Sequence, residues 1–122
     1  MYYLHQELGS GAFSIVKLAS HKETHQKVAA KIVTKKKLTE EDLSSLTTEI
    51  AILNNLDHDH IIKLYEVFEE DSEFYIITEL VEGGELFDRI VSKSHYSEQE
   101  ARDLVKMFLE TICYMHDANV VH

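Results

Sequence analysis

The sequence predicts an α+β fold in which a mostly β first part carries one large helix and a helical second part follows. Three observations carry this. Residues 2–33 are rich in β-branched and aromatic side chains punctuated by short polar groups. Residues 38–56 repeat apolar side chains at helical spacing, and Ala101, Leu104, Val105, Phe108, Ile112 and Met115 form a second helical face.

Taken in order, the extended runs predict antiparallel strands over about 2–8, 14–20 and 27–33, separated by the glycines at 9 and 11 and by the polar group His21 to Gln26. Thr39 with Asp42 three residues later is a capping box that opens the helix running to Leu56. Two more strands are expected over about 61–69 and 73–80, joined by a polar turn at 70–72. Gly83 and Gly84 break the strand pattern, 85–92 reads as a short helix, and Ser97 with Glu100 forms a second capping box before the long helix. There is no proline, internal repeat or low-complexity stretch to mark a linker.

A chain of 122 residues with 44% hydrophobic content is long enough to bury a core. Its apolar runs are far too short to span a membrane and residues 1–7 lack a signal-peptide layout, so a cytoplasmic setting, with the nucleus as a second option, is the expectation. The single cysteine, Cys113, cannot form an internal disulfide and lies in a helical apolar pattern, where a core role is expected. A formal charge of −10 argues against nucleic acid, whose phosphates are held by clustered Lys and Arg. Between Lys63 and Arg89 stand Glu66, Glu69, Glu70, Asp71, Glu73, Glu79, Glu82, Glu85 and Asp88 without one Lys or Arg. That run reads either as a solvated face or as an acidic surface for basic peptides.

The stretch LGSGAFSIVKLAS sets Gly9-Ser10-Gly11 between two extended runs. A dinucleotide-binding loop would open a helix, yet Ile15 to Leu18 favours a strand, and the Gly-Lys-Ser/Thr ending of a Walker loop is absent. A glycine-rich hairpin that can lie over a nucleotide remains, its N–H groups free to approach phosphate oxygens. In KVAAKIVTK, alternation places Lys31 on one face with Ala29 and Val33. On the following helix Glu49 falls inside the apolar arc of Leu43, Leu46, Ile50 and Leu53. A carboxylate buried there needs a cation, so Lys31 and Glu49 are expected to pair and to aim the ammonium beneath the glycine loop. His58 and His60 lack the further ligands of a tetrahedral metal site, and no nucleophile sits on a sharp strand-to-helix turn.

Along essentially its whole length the chain resembles the start of a eukaryotic protein kinase domain. Gly9-Ser10-Gly11-Ala12-Phe13-Ser14-Ile15-Val16 is similar to the kinase glycine-rich loop, with Ser14 where the pattern has its third glycine. Val28-Ala29-Ala30-Lys31 resembles the strand with the phosphate-binding lysine, Glu49 matches its helix partner, and FYIITELVEGGELFDRI resembles the last strand, hinge and following helix. Several motifs are most similar to the calcium/calmodulin-dependent and calcium-dependent kinase group.

The resemblance implies a kinase N-lobe over 1–81 and the start of a helical C-lobe over 82–122. It implies Lys31 and Glu49 as catalytic residues, and an ATP cradle of Leu8, Gly9, Ser10, Gly11, Ala12, Phe13, Ser14, Val16, Ala29 and Lys31. Thr78 would stand behind the adenine, Glu79 and Val81 would offer it backbone groups, and Glu85 would reach the ribose or a basic substrate residue. Leu53, Leu64 and His122 would join the apolar stack that couples the lobes. ATP and basic protein or peptide substrates follow as ligands, with calmodulin or a calcium-binding module outside this chain, and with no nucleic acid or membrane. Mg2+ would accompany ATP, but the catalytic-loop Asp and Asn and the Asp-Phe-Gly that serve it in the family do not occur here. Val120-Val121-His122 resembles the lead-in to His-Arg-Asp, so the expectation is the ATP-binding part of a serine/threonine kinase, inactive alone. The alternative is a non-catalytic regulator that binds nucleotide or a kinase partner.

Overall fold

The computed structural model describes residues 1–93 and 95–122. The chain packs as two units, one of Met1–Asn55 with Ile62–Val81 and the other of Leu56–Ile61 with Glu82–His122.

The first unit is a five-stranded antiparallel sheet with one large helix, as the sequence predicts. Its strands are β1 (Tyr2–Ser10), β2 (Ser14–His21), β3 (Lys27–Thr34), β4 (Leu64–Glu69) and β5 (Glu73–Glu79), in the order β1-β2-β3-β5-β4. Helix α1 (Glu40–Asn55) follows β3 after a single 3-10 turn, Lys35–Lys37. The expected strand beginning near 61 starts instead at Leu64, because Ile61 is held in a turn by its N–H bond to the His58 carbonyl. The first capping box forms in full: the Thr39 N–H donates to Asp42 Oδ2 at 3.0 Å and the Asp42 N–H to Thr39 Oγ1 at 3.1 Å. Glu40, Glu41 and Asp42 add negative charge at the positive end of the helix dipole.

Strand alternation divides the core. On one face Val33 and Ile76 pack with Leu46 of α1, flanked by Leu38, Ile50, Leu64 and Phe74. On the other, Ala19, Val28, Ala30 and Ile77 form a second buried cluster against which Tyr2 and Phe68 pack. Register irregularities between Leu4, Glu7 and Gly9 in β1 and between Leu64 and Glu66 in β4 let the sheet curl. Its two edges meet there: the Tyr2 hydroxyl donates to Glu66 Oε2 at 2.5 Å, and the Tyr2 and Phe68 rings lie edge to face at 6.2 Å.

The second unit contains α2 (Leu86–Ser92) and α3 (Glu98–Asp117). Ser97 caps α3 by accepting from the Glu100 N–H at 3.1 Å, while the Glu100 carboxylate turns to Lys93. The helix ends at Ala118 and Asn119, the latter at φ 61, a left-handed conformation that asparagine tolerates. The 56–61 segment is tied to α3 by the Asp57 N–H, which donates to the Tyr114 hydroxyl at 2.8 Å, and by His58 packed against the Tyr114 ring. Cys113, expected in a core, is exposed, because the apolar side chains of α3 are largely uncovered in this unit, with Leu109 at 59% and Val105 at 53% exposure.

Candidate functional site

Ladder pairing builds the site. Val16 lies opposite Lys31 and Leu18 opposite Ala29 across β2 and β3, while Ala29 lies opposite Thr78 and Lys31 opposite Ile76 across β3 and β5. Directly paired residues share a face, so Val16, Leu18, Ala29, Lys31 and Thr78 project from the side of the sheet that also carries Val33 and Ile76 beneath α1.

The glycine loop closes one end of this face. Gly9 pairs with Val16 and Ser10 with Ile15, after which Gly11, Ala12 and Phe13 leave the ladder before β2 begins at Ser14. The loop is tightened by the Gly11 N–H, which donates to the Ser14 carbonyl at 2.8 Å, and by the Thr34 N–H, which donates to the Phe13 carbonyl at 3.1 Å. Space is open where a Cβ would stand on Gly9, so an anion can approach its backbone. A Cβ on Gly11 would meet the Ser14 hydroxyl at 3.1 Å, so the serine in place of a third glycine crowds the loop's own turn. Leu8 is half exposed on β1.

Lys31 and Glu49 face one cavity of about 200 Å³, together with Phe13, Ser14, Asp42 and Leu46. The expected buried ion pair is not made: among the described residues no salt bridge joins Lys31 to Glu49, and Glu49 is exposed while Lys31 is half-buried. The helix stands off the sheet at this point. Leu46 is its one buried side chain, and Val33 and Ile76 set the separation there. One turn further on, a carboxylate that remains in water has no desolvation cost for a lysine to offset.

At the far end of β5, the Thr78 hydroxyl donates to the Glu79 carbonyl at 3.3 Å. Glu79 is anchored twice to Lys63: its N–H donates to the Lys63 carbonyl at 2.8 Å, and its Oε2 accepts from the Lys63 N–H at 3.2 Å. That second bond involves a side chain that sequence reasoning assigned only a backbone role. Val81 follows, 63% exposed. In the other unit Glu85 occupies the N-cap position of α2 without capping it through its side chain, and its carbonyl accepts from the Arg89 N–H at 3.1 Å.

The arrangement offers an apolar shelf, the Lys31 ammonium and a glycine hairpin on one sheet face, a set suited to a flat ring with an anionic tail. Residues 2–122 match the protein kinase domain family. The chain is 49% identical over 122 residues to calcium/calmodulin-dependent protein kinase type 1 of Macrobrachium nipponense, covering 99% of this chain and 35% of that one. It is 46% identical over 121 residues to calcium/calmodulin-dependent protein kinase type IV of Mus musculus, covering 99% and 25% respectively. It is 43% identical over 122 residues to myosin light chain kinase A of Dictyostelium discoideum, covering 100% and 41%. The chain thus spans between a quarter and about two fifths of the length of these curated relatives. With the glycine hairpin, the Lys31 strand and the α1 carboxylate in order along the match, the chain belongs to the protein kinase domain family.

Proposed function

We propose that this chain is the ATP-binding part of a serine/threonine protein kinase, which transfers the ATP γ-phosphate to protein hydroxyl groups. The observation that carries this reading is the shared sheet face on which Val16, Ala29, Lys31 and Thr78 stand beside the Gly9 to Ser14 loop. Val16 and Ala29 are apolar and half-buried, suited to the faces of adenine, and Glu79 and Val81 would meet its edge through backbone groups. The open approach to Gly9 suits phosphate oxygens, and the Lys31 ammonium would hold them by charge. Glu49, across the cavity, would orient Lys31 once α1 closes on the sheet. Bound ATP with Mg2+ supplies the transferable phosphoryl group, and the family's metal-binding motifs are not among these 122 residues.

The test compares this chain with a longer protein that carries those motifs. The 122-residue chain is expected to place no radiolabelled phosphate on a basic peptide, and the longer protein to do so only with Lys31 intact. Label transferred by the short chain, or near-normal turnover by Lys31→Met in the longer one, refutes the reading. The open Lys31–Glu49 gap favours a second reading, a nucleotide-binding regulator without catalysis. A longer protein that binds ATP with Lys31 present yet labels no substrate would establish it. Calcium and calmodulin dependence, which the names of two relatives state, is proposed for the longer protein and tested by activity with and without calcium-loaded calmodulin.

A further inference from the structure

The face of the sheet opposite Lys31 carries a groove of about 500 Å³. Its floor and walls come from both edges of the curled sheet: Tyr2 and Leu4 of β1, Phe68 of β4, and Tyr75 and Ile77 of β5. The hollow has a cause in side-chain size. Ala19 and Ala30, fully buried at the centre of this face, are too small to fill the space that the surrounding rings enclose. The rings are fixed in turn, Tyr2 by its bond to Glu66 and Tyr75 by donating to Glu73 Oε2 at 2.7 Å.

The charge around this groove is mainly acidic. Glu69 and Glu70 line it, and Glu66 and Glu73 hold its two tyrosines. Glu69 is bridged to Lys35, whereas Glu66, Glu70 and Glu73 have no cation partner among the described residues. The two phenols that Glu66 and Glu73 accept from are neutral and cancel none of this charge. Of the cations near it, the Met1 amino group lines the β1 end close to Lys22 and within the field of Glu66. Lys17, paired with Ala30, projects from the same face, which leaves Glu70 and Glu73 at the far end with no cation contact among the described residues.

We propose that this groove is a docking site for a basic peptide segment of a partner protein, one that seats one or two large apolar side chains between Tyr2, Phe68 and Tyr75 and sets Lys or Arg against Glu66, Glu70 and Glu73. Charge complementarity selects this occupant. A second copy of the chain, itself at −10, would bring acid against acid, and an anionic lipid or nucleic-acid surface would be repelled in the same way. The groove lies on the face opposite the proposed nucleotide site, because Ala30 and Lys31 project to opposite sides of β3.

Fluorescence anisotropy on the full chain tests it, with a labelled peptide of two leucines flanked by Lys and Arg and lacking Ser, Thr and Tyr. Binding is expected, with loss on replacing the leucines by alanine or the basic residues by glutamate. Glu70→Lys, at an exposed turn position, should weaken binding roughly three- to tenfold. Glu82→Lys, which makes the same change of net charge elsewhere, should leave it unaltered. A non-hydrolysable ATP analogue should not displace the peptide, whether or not the chain binds nucleotide. Equal weakening by both variants, equal binding of the glutamate peptide, or displacement by the analogue overturns the proposal. So does a Glu70-dependent dimer in sedimentation, or Glu70-dependent binding to phosphatidylserine vesicles.

Discussion

Tyr2 and Glu66, 64 residues apart in the chain, join the first and last strands in spatial order through one hydrogen bond of 2.5 Å. These two strands are not ladder neighbours, so the bond closes a sheet that β-pairing alone leaves open. The consequence is a curl rather than an added layer: both edges bend toward one face, and the aromatic groove lies inside the bend.

Replacing Tyr2 by Phe keeps the ring on Phe68 and removes the donor to Glu66. A loss of about 1 kcal/mol is expected, the usual net value of one such bond at a partly solvated position. Urea denaturation with an unchanged slope would measure it, and a loss near zero would show the closure to be passive.

The same contact has a pH signature. Loss of water and the Glu66 carboxylate push the Tyr2 phenol up to about 12, and the bond to Glu73 together with burial does the same for Tyr75, again to about 12. A phenol raised on folding adds stability that is complete below its ordinary value of 10.0 and is lost as pH climbs through about 12. Tyr2 and Tyr75 should therefore ionise above the ordinary phenol range in a rapid pH-jump absorbance titration, and Tyr2→Phe should remove one late proton.

Because the Lys31–Glu49 pair is open, Glu49→Gln in this chain should change thermal stability by less than about 0.5 kcal/mol, as for an exposed surface substitution. In a longer protein that carries the family's metal-binding motifs, closure of α1 on the sheet predicts that the same change reduces the proposed phosphoryl transfer. A large stability loss in the short chain would mean the pair forms in solution.

Ile76→Ala opens the cluster it shares with Val33 and Leu46 and should cost about 2–4 kcal/mol. Phe87→Ala, at a side chain 71% exposed, should cost little in this chain. Equal costs would place the stabilising core elsewhere.

Gly11→Ala sets a Cβ against the Ser14 hydroxyl at 3.1 Å, which the hydroxyl relieves by rotating. A small loss of stability is expected, and Ser14→Gly should cancel it in a double-mutant cycle. Additive effects would place the crowding elsewhere in the loop.

Strand and helix identity was legible because each element carries its own period: alternation in KVAAKIVTK, helical spacing from Leu38, and the Thr39–Asp42 box that the structure closes in both directions. The sharing of one face by Val16, Ala29, Lys31 and Thr78 was half legible. Alternation orients each residue on its strand, but which strands adjoin depends on pairing across distant segments. The failure at Glu49 has the same character, since helical periodicity reports direction and says nothing of how far a helix stands from its sheet. The Tyr2–Glu66 closure left no local pattern at all; only the bulges that curl both edges bring those residues together.

Strand β3 is a wall between two rooms, with Lys31 on one side and Ala30 on the other. A single residue inserted between Val28 and Lys31 would send the ammonium into the aromatic groove and a methyl beneath the glycine loop, spoiling both at once. Two inserted residues would return each side chain to its own side. This short stretch therefore tolerates changes of length by parity, a constraint stricter than anything its individual side chains impose.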